Sequence, residues 1–135
     1  LSLRELGDVQ GASELRQQVL EAMTLALGEE HPNTLSAKGN LATSLHALGD
    51  LHGASELQQQ VLEAMKRTLG EEHRDTLNAK GNLAVSLYDL GDLQGASELR
   101  KQVLEAMKRT LGEEHRDTLN AKGNLAVSLY DLGDL

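Results

Sequence analysis

The tripeptide Glu-Glu-His recurs at His31, His73 and His115, so the chain repeats every 42 residues without insertion. Residues 66–93 return letter for letter as residues 108–135, and the copy before them differs mainly at polar positions. A recent duplication or a consensus repeat would produce this pattern. Its constraint on the fold is strong, because a unit this short cannot bury an apolar face alone and must stack on its neighbours. The opening LSLRELGDV matches the closing VSLYDLGDL, so the sequence starts and stops inside corresponding parts of the repeat.

Each period holds two helical patterns. In helix A, Leu77, Leu83, Ala84, Leu87 and Leu90 recur at helical spacing, with Asp75 placed to cap the start and Gly91 to end it. In helix B, Leu93, Ala96, Leu99, Val103, Leu104, Met107 and Leu111 form a longer apolar stripe, with Asp92 as N-cap and Gly112 past the end. The connections LGD and GEEHRD are short, so successive helices run antiparallel and pack on one another. The expectation is a single array over residues 1–135: part of an A helix at about 1–6, B helices at about 9–27, 51–69 and 93–111, and A helices at about 34–48, 76–90 and 118–132. One glycine inside each helix, Gly81 in A and Gly95 in B, costs roughly 1 kcal/mol against alanine. Close approach of a neighbouring helix is the expected reason.

Composition narrows the chemistry. The only aromatic residues are Tyr88 and Tyr130, so a core must come from Leu, Val, Ala and Met. One proline, Pro32, and an abundance of Leu, Ala, Glu and Gln agree with an all-α chain. Thirteen basic against twenty-one acidic residues leave a formal net charge of −8, which repels a phosphate backbone and speaks against a nucleic-acid partner. No basic tract suggests an anionic membrane, and no apolar run approaches the roughly 18 residues needed to cross one. Cysteine is absent, which removes disulfide and thiolate chemistry without choosing a compartment.

The stretch GDLQGASELRKQVLEAMKRTLGEEHRDTL, with its neighbours, resembles a tetratricopeptide repeat of the 42-residue, kinesin-light-chain-like kind, along the entire chain. The matching residues are Asn-Leu-Ala in helix A at Asn40, Asn82 and Asn124, and the turn glycines Gly49, Gly91 and Gly133. They continue with the early helix B alanines Ala12, Ala54 and Ala96, and with His31-Pro32-Asn33-Thr34-Leu35 leading into a helix A. The chain departs from the family where Arg74 and Arg116 replace the proline, where Leu87 and Leu129 stand for an aromatic, and where Arg16, Gln58 and Arg100 replace another. These departures imply shallower interlocking between hairpins. The resemblance implies a right-handed α-solenoid of antiparallel helix hairpins, a non-enzymatic interaction scaffold and a cytoplasmic location.

HRDTLNAKGN, at residues 73–82, looks at first like a protein-kinase catalytic loop. The spacing refuses it: a metal-binding asparagine should follow Asp75 by five positions, where Lys80 stands. Neither a glycine-rich phosphate loop nor Asp-Phe-Gly accompanies it, and the motif occurs twice. The three Glu-Glu-His triplets are poor metal sites, because consecutive residues in a loop do not easily converge on one ion. Ser86 and Ser97 lie in helices without a base nearby and read as small helix residues. No catalytic residue, metal or cofactor is therefore expected.

By the same resemblance, A helices line a concave groove that holds extended peptides. Carried over by position, its residues are Asn78, Gly81, Asn82, Val85, Tyr88 and Asp89, with Asn120, Gly123, Asn124, Val127, Tyr130 and Asp131 after them. Ser36, Gly39, Asn40, Thr43, His46 and Ala47 come before. Asn40, Asn82 and Asn124 would form a ladder of amides able to bond a peptide backbone. Lys38, Lys80 and Lys122 fall beside the apolar stripe, so each is expected to bury its stem and carry its charge to a carboxylate or a helix-end carbonyl. Because the ends carry no polar cap, the alternative reading is a structural module that stacks head to tail, the closing GDL of one chain meeting the start of another.

Overall fold

A computed structural model describes residues 2–133; Leu1 and the closing Asp134–Leu135 lie outside the described residues. Among the described residues there are six helices and no strand: α1 (Leu3–Leu27), α2 (Pro32–Ala47), α3 (Leu51–Leu69), α4 (Arg74–Asp89), α5 (Leu93–Leu111) and α6 (Arg116–Gly133). In repeat terms α2, α4 and α6 are A helices, and α1, α3 and α5 are B helices. The chain divides into two compact units, Leu1–Ala64 and Met65–Leu135.

The turns that end the A helices repeat one device. Gly91 has φ +90°, its N–H bonds to the Tyr88 carbonyl at 3.0 Å, and the Asp92 N–H bonds to the Leu87 carbonyl at 2.8 Å. This is a Schellman closure, which needs a residue free of Cβ in the left-handed region. Asp92 then caps α5, its carboxylate accepting from the Gly95 N–H at 2.9 Å. That bond also explains Gly95. A Cβ there would collide with the Asp92 carboxylate, so the glycine makes room for the cap and not for a neighbouring helix, as the sequence suggested. A Cβ on Gly81 would meet nothing within 4 Å, so close packing does not explain that glycine either.

The opposite turns are capped by histidine. The Nδ1 atoms of His31, His73 and His115 accept from the N–H groups of Asn33, Asp75 and Asp117 at 3.0, 3.1 and 3.0 Å. Asp75 is therefore not the N-cap that the pattern predicted. It lies in the first turn of α4, where a carboxylate still complements the helix dipole, while the imidazole two residues earlier reaches the free N–H. Just inside each helix, the fully buried hydroxyls of Thr34, Thr76 and Thr118 donate to the carbonyls of Met23, Met65 and Met107, all at 3.4 Å. Each A helix is so tied to the last turns of the B helix before it.

The N-terminal segment differs from the expectation. Gly7-Asp8 is written like Gly91-Asp92, yet the helix passes straight through it and α1 runs 25 residues without a break. Gly7 is not among the glycines of positive φ that the closure at Gly91 requires, and continuing the helix satisfies the backbone groups there.

In the first unit α1 packs on α2 around Leu20, Ala37 and Leu41, with Met23, Leu45 and Leu57 against them. In the second, α5 packs on both α4 and α6. There Leu77, Val103, Leu104, Ala106 and Ala121 form the core, with Met107 and Leu125 beside it. Helical side chains of this size leave thin layers, and the buried charge lies between them. Lys80 has a side chain only 4% exposed and reaches Glu71 at 3.2 Å; Lys38 reaches Glu29 at 2.7 Å. The stems are apolar filling and the ammonium ends meet a solvated carboxylate, as the sequence suggests.

Candidate functional site

The helix that follows the His73 cap turns one row of side chains away from the α4–α5 packing. On it Asn78, Asn82 and Val85 are exposed, and Tyr88 is half-buried. The equivalent row on α6 exposes Asn120, Asn124, Val127 and Tyr130, the last at 72%. In the first unit Asn40 is exposed on α2, with Ser36 and Thr43 beside it in sequence register.

Between α4, α5 and α6 this surface sinks into a depression of about 220 Å³. Its floor is aliphatic, from Leu77, Val103, Met107 and Ala121; its rim carries Val85, Arg100, Asp117, Asn120 and Asn124. Gly81 also lines it, so the space a side chain would fill belongs to the depression. A second depression, of about 260 Å³, lies in the first unit between Arg16, Val19, Met23, Asn33, Ser36, Ala37 and Asn40. These are the same positions two periods earlier. The structure thus brings together Val85, Asn120 and Asn124 of the expected groove residues, and Asn40 in the equivalent place. Asn78, Asn82, Val127, Tyr88 and Tyr130 do not line either depression.

Arg16 and Arg100 are the residues that sequence reasoning undervalued. Arg16 donates through Nη1 to the Ser44 hydroxyl at 2.6 Å and to the Asn40 carbonyl at 3.1 Å. Arg100 does the same to Ser128 and, at 3.3 Å, to the Asn124 carbonyl. Its guanidinium also lies 5.2 Å from the centroid of the Tyr88 ring, a cation–π distance. One B-helix arginine therefore clasps the A helices on both sides, where its replacement of an aromatic suggested weaker interlocking. The recurrence of Arg and Ser at the same spacing, at 16 with 44 and at 100 with 128, was the available signal.

Tyr88 is similarly engaged. Its hydroxyl donates to the Asp131 carboxylate, joining α4 to α6. That hydrogen bond, more than burial, holds the phenol above its ordinary ionisation range. Arg109 donates to Glu72 from Nε at 3.1 Å and from Nη2 at 2.7 Å, which keeps the guanidinium the more firmly protonated, and Arg74 meets Asp117 at 3.4 Å. Chemically the depression offers an apolar seat for a side chain, flanked by amides that can both donate and accept. It presents no nucleophile with a base in reach.

The family model for the tetratricopeptide repeat matches residues 1–67, 35–106 and 75–135. No curated protein matches the chain. Among solved structures, a putative kinesin light chain of Podosopora anserina with nearly identical TPR-like repeats is similar at 35% identity and a TM-score of 0.87, over 94% of this chain and 60% of that one. BtubC (BKLC) from P. vanneervenii is similar at 22% identity and a TM-score of 0.85, over 95% of this chain and 51% of that one. The chain thus spans between half and two thirds of the length of these relatives.

Proposed function

The chain belongs to the tetratricopeptide repeat family, an interaction-scaffold fold, and from that premise we propose that its A-helix face holds an extended peptide segment of a partner protein. In this reading residues 1–135 act as one array of 42-residue units, and Asn40, Asn82 and Asn124 bond the peptide backbone with help from Asn78 and Asn120. Val85 and Val127 supply apolar contact, and Tyr130 offers an exposed ring. Tyr88, already bound to Asp131 and stacked under Arg100, serves mainly to fix the spacing of the A helices.

The observation that carries the reading is the depression beside Val85, where an aliphatic floor of Leu77 and Val103 lies open under the exposed amides of Asn120 and Asn124. An apolar side chain can enter it while the amides satisfy the adjoining peptide bonds, which is how a groove combines affinity with orientation. The acidic balance of the chain, −8, favours peptides without excess acidic residues.

The test is selection of a displayed random-peptide library on the intact chain, followed by anisotropy titration of a recovered peptide. The Asn82→Ala, Asn124→Ala double variant is expected to bind about tenfold more weakly, the loss of one or two hydrogen bonds. Unchanged affinity would remove the amide ladder. Failure to recover any peptide competed by a Val85→Asp variant would remove the groove.

A further inference from the structure

The last turn of α1 differs in charge from those of the other B helices. Where α3 carries Lys66-Arg67 and α5 carries Lys108-Arg109, α1 carries Thr24-Leu25. In the later repeats the loop glutamate just past the helix meets an ammonium group from each side. Glu71 lies 3.8 Å from Lys66 and 3.2 Å from Lys80, and Glu113 lies 3.9 Å from Lys108 and 2.9 Å from Lys122. The matching Glu29 keeps its A-helix partner, Lys38 at 2.7 Å, and is 67% exposed. In the place of the B-helix lysine stands Thr24, whose hydroxyl donates to its own helix, at the Leu20 carbonyl, at 2.8 Å.

A depression of about 500 Å³ opens at this place within the first unit, between α1, α2 and α3. Its apolar lining is Leu20, Leu57 and Leu25, the last 89% exposed. Glu21 and Glu29 line it together with Lys38, so carboxylates outnumber ammonium groups. None of these residues lines the depression beside Asn40. Exposure at position 25 belongs to the repeat: Arg67 is exposed, and the Arg109 side chain is 58% exposed with α3 and α4 before it in the chain.

An exposed leucine over a partly buried apolar floor, beside a carboxylate without the second cation of its copies, is complementary to an apolar side chain with a cation next to it. We propose that this depression is a second docking site, occupied by a segment of a partner protein in which a lysine or arginine adjoins an apolar residue. The cation takes at Glu29 the place that Lys66 takes at Glu71, and the apolar neighbour rests on Leu20, Leu25 and Leu57. Glu21, which accepts from Gln17 at 3.2 Å, adds to the negative potential that draws a basic segment in and turns an acidic one away.

The repeat supplies its own control. Thr24→Lys combined with Leu25→Arg restores the residues of α3 and α5, so circular dichroism should show the helices intact while the site is filled from within. A displayed random-peptide library is selected on the 135-residue chain after depletion on this double variant, and recovered peptides are titrated by fluorescence anisotropy. They are expected to carry a lysine or arginine beside an apolar residue, and to bind the double variant about tenfold more weakly than the parent. Glu29→Gln, which keeps an acceptor for Lys38 without the charge, should weaken them about threefold and flatten their salt dependence. The Asn82→Ala, Asn124→Ala variant should bind them as the parent does, which separates this site from the peptide groove. Recovery of no peptide that tells the parent from the Thr24→Lys, Leu25→Arg variant would overturn the proposal. So would recovered peptides without a basic residue, affinity untouched by Glu29→Gln, or affinity lost with the two asparagines.

Discussion

Helices α4 and α6 have the same residues in the same order from Arg74 and from Arg116, and they sit on opposite sides of α5. Their local structure is the same: His73 and His115 cap them at 3.1 and 3.0 Å, and Thr76 and Thr118 are both fully buried with bonds of 3.4 Å. Their environments are not. Leu77 is 5% exposed and Leu119 52%; the side chain of Lys80 is 4% exposed and that of Lys122 41%. Caps, turns and the tie to the preceding B helix travel with the sequence, because all their partners lie within a few turns. Burial of the outer stripe does not, because its partner is the next B helix. What a residue contributes here depends on which side of α5 it occupies.

The largest separation should come from the leucines. Leu77→Ala removes a side chain from the α4–α5 core and is expected to cost about 2–5 kcal/mol in urea unfolding followed at 222 nm. Leu119→Ala should cost less than about 1 kcal/mol. Equal losses would show that α6 is covered as fully as α4, and the contrast between the two helices would be gone.

The lysines give a smaller contrast of a different kind. Lys80→Met keeps the apolar stem and deletes the charge, so it tests the Lys80–Glu71 pair separately from packing. The pair is lopsided, with Lys80 buried and Glu71 59% exposed, so Glu71 can return to water and the expected cost is only about 1 kcal/mol. Lys122→Met should move the unfolding midpoint less. At that site the Lys122 hydrogen bond, helped by the charge of Lys108, holds the Glu113 carboxyl below its usual range. A depressed carboxylate stabilises the fold above its unfolded pKa and loses that contribution as pH falls through the folded value. The midpoint of Lys122→Met should accordingly be less sensitive to acid than that of the parent chain. A Lys80→Met variant as stable as the parent would make the buried ammonium a copied residue and not a brace.

The same division explains what could be read from the letters. The period, the hairpins, the turn at Gly91 and the Asp92 cap rest on contacts of short range, and each has a residue type that names it. Gly7-Asp8 carries the same signal, yet α1 runs straight through it, so the dipeptide alone does not dictate the turn. Residue type pointed to Asp75 as the cap of α4, whereas His73 holds that place. Which one reaches the free N–H is decided by a loop conformation that composition does not encode. Arg100 was the least legible residue of the candidate site. Its partners lie on two other helices, at Tyr88 and Ser128, so its role emerges only once α4, α5 and α6 are in place. Asn82 and Asn124 were assigned to an open face by the family resemblance, carried over by position, and both are exposed.

The finest contrast lies between the two tyrosines, which are copies of one position. Tyr88 donates its hydroxyl to Asp131 under the Arg100 guanidinium, while Tyr130 stands 72% exposed. The hydrogen bond to Asp131, with burial and the negative charge of that carboxylate behind it, holds the Tyr88 phenol above its ordinary value of 10.0. A raised phenol pKa means the protonated form is favoured in the folded chain. Its stabilisation is present below the unfolded pKa and is lost as pH rises through the folded value. Absorbance at 295 nm should therefore show a late tyrosinate component in the parent chain, retained in Tyr130→Phe and absent from Tyr88→Phe. Asp131→Asn, which leaves an acceptor but no charge, should shift that component to lower pH without removing it. Identical titration curves for the two phenylalanine variants would mean that the tyrosines share one environment, and that the α4–α6 link through Tyr88 does not hold in solution.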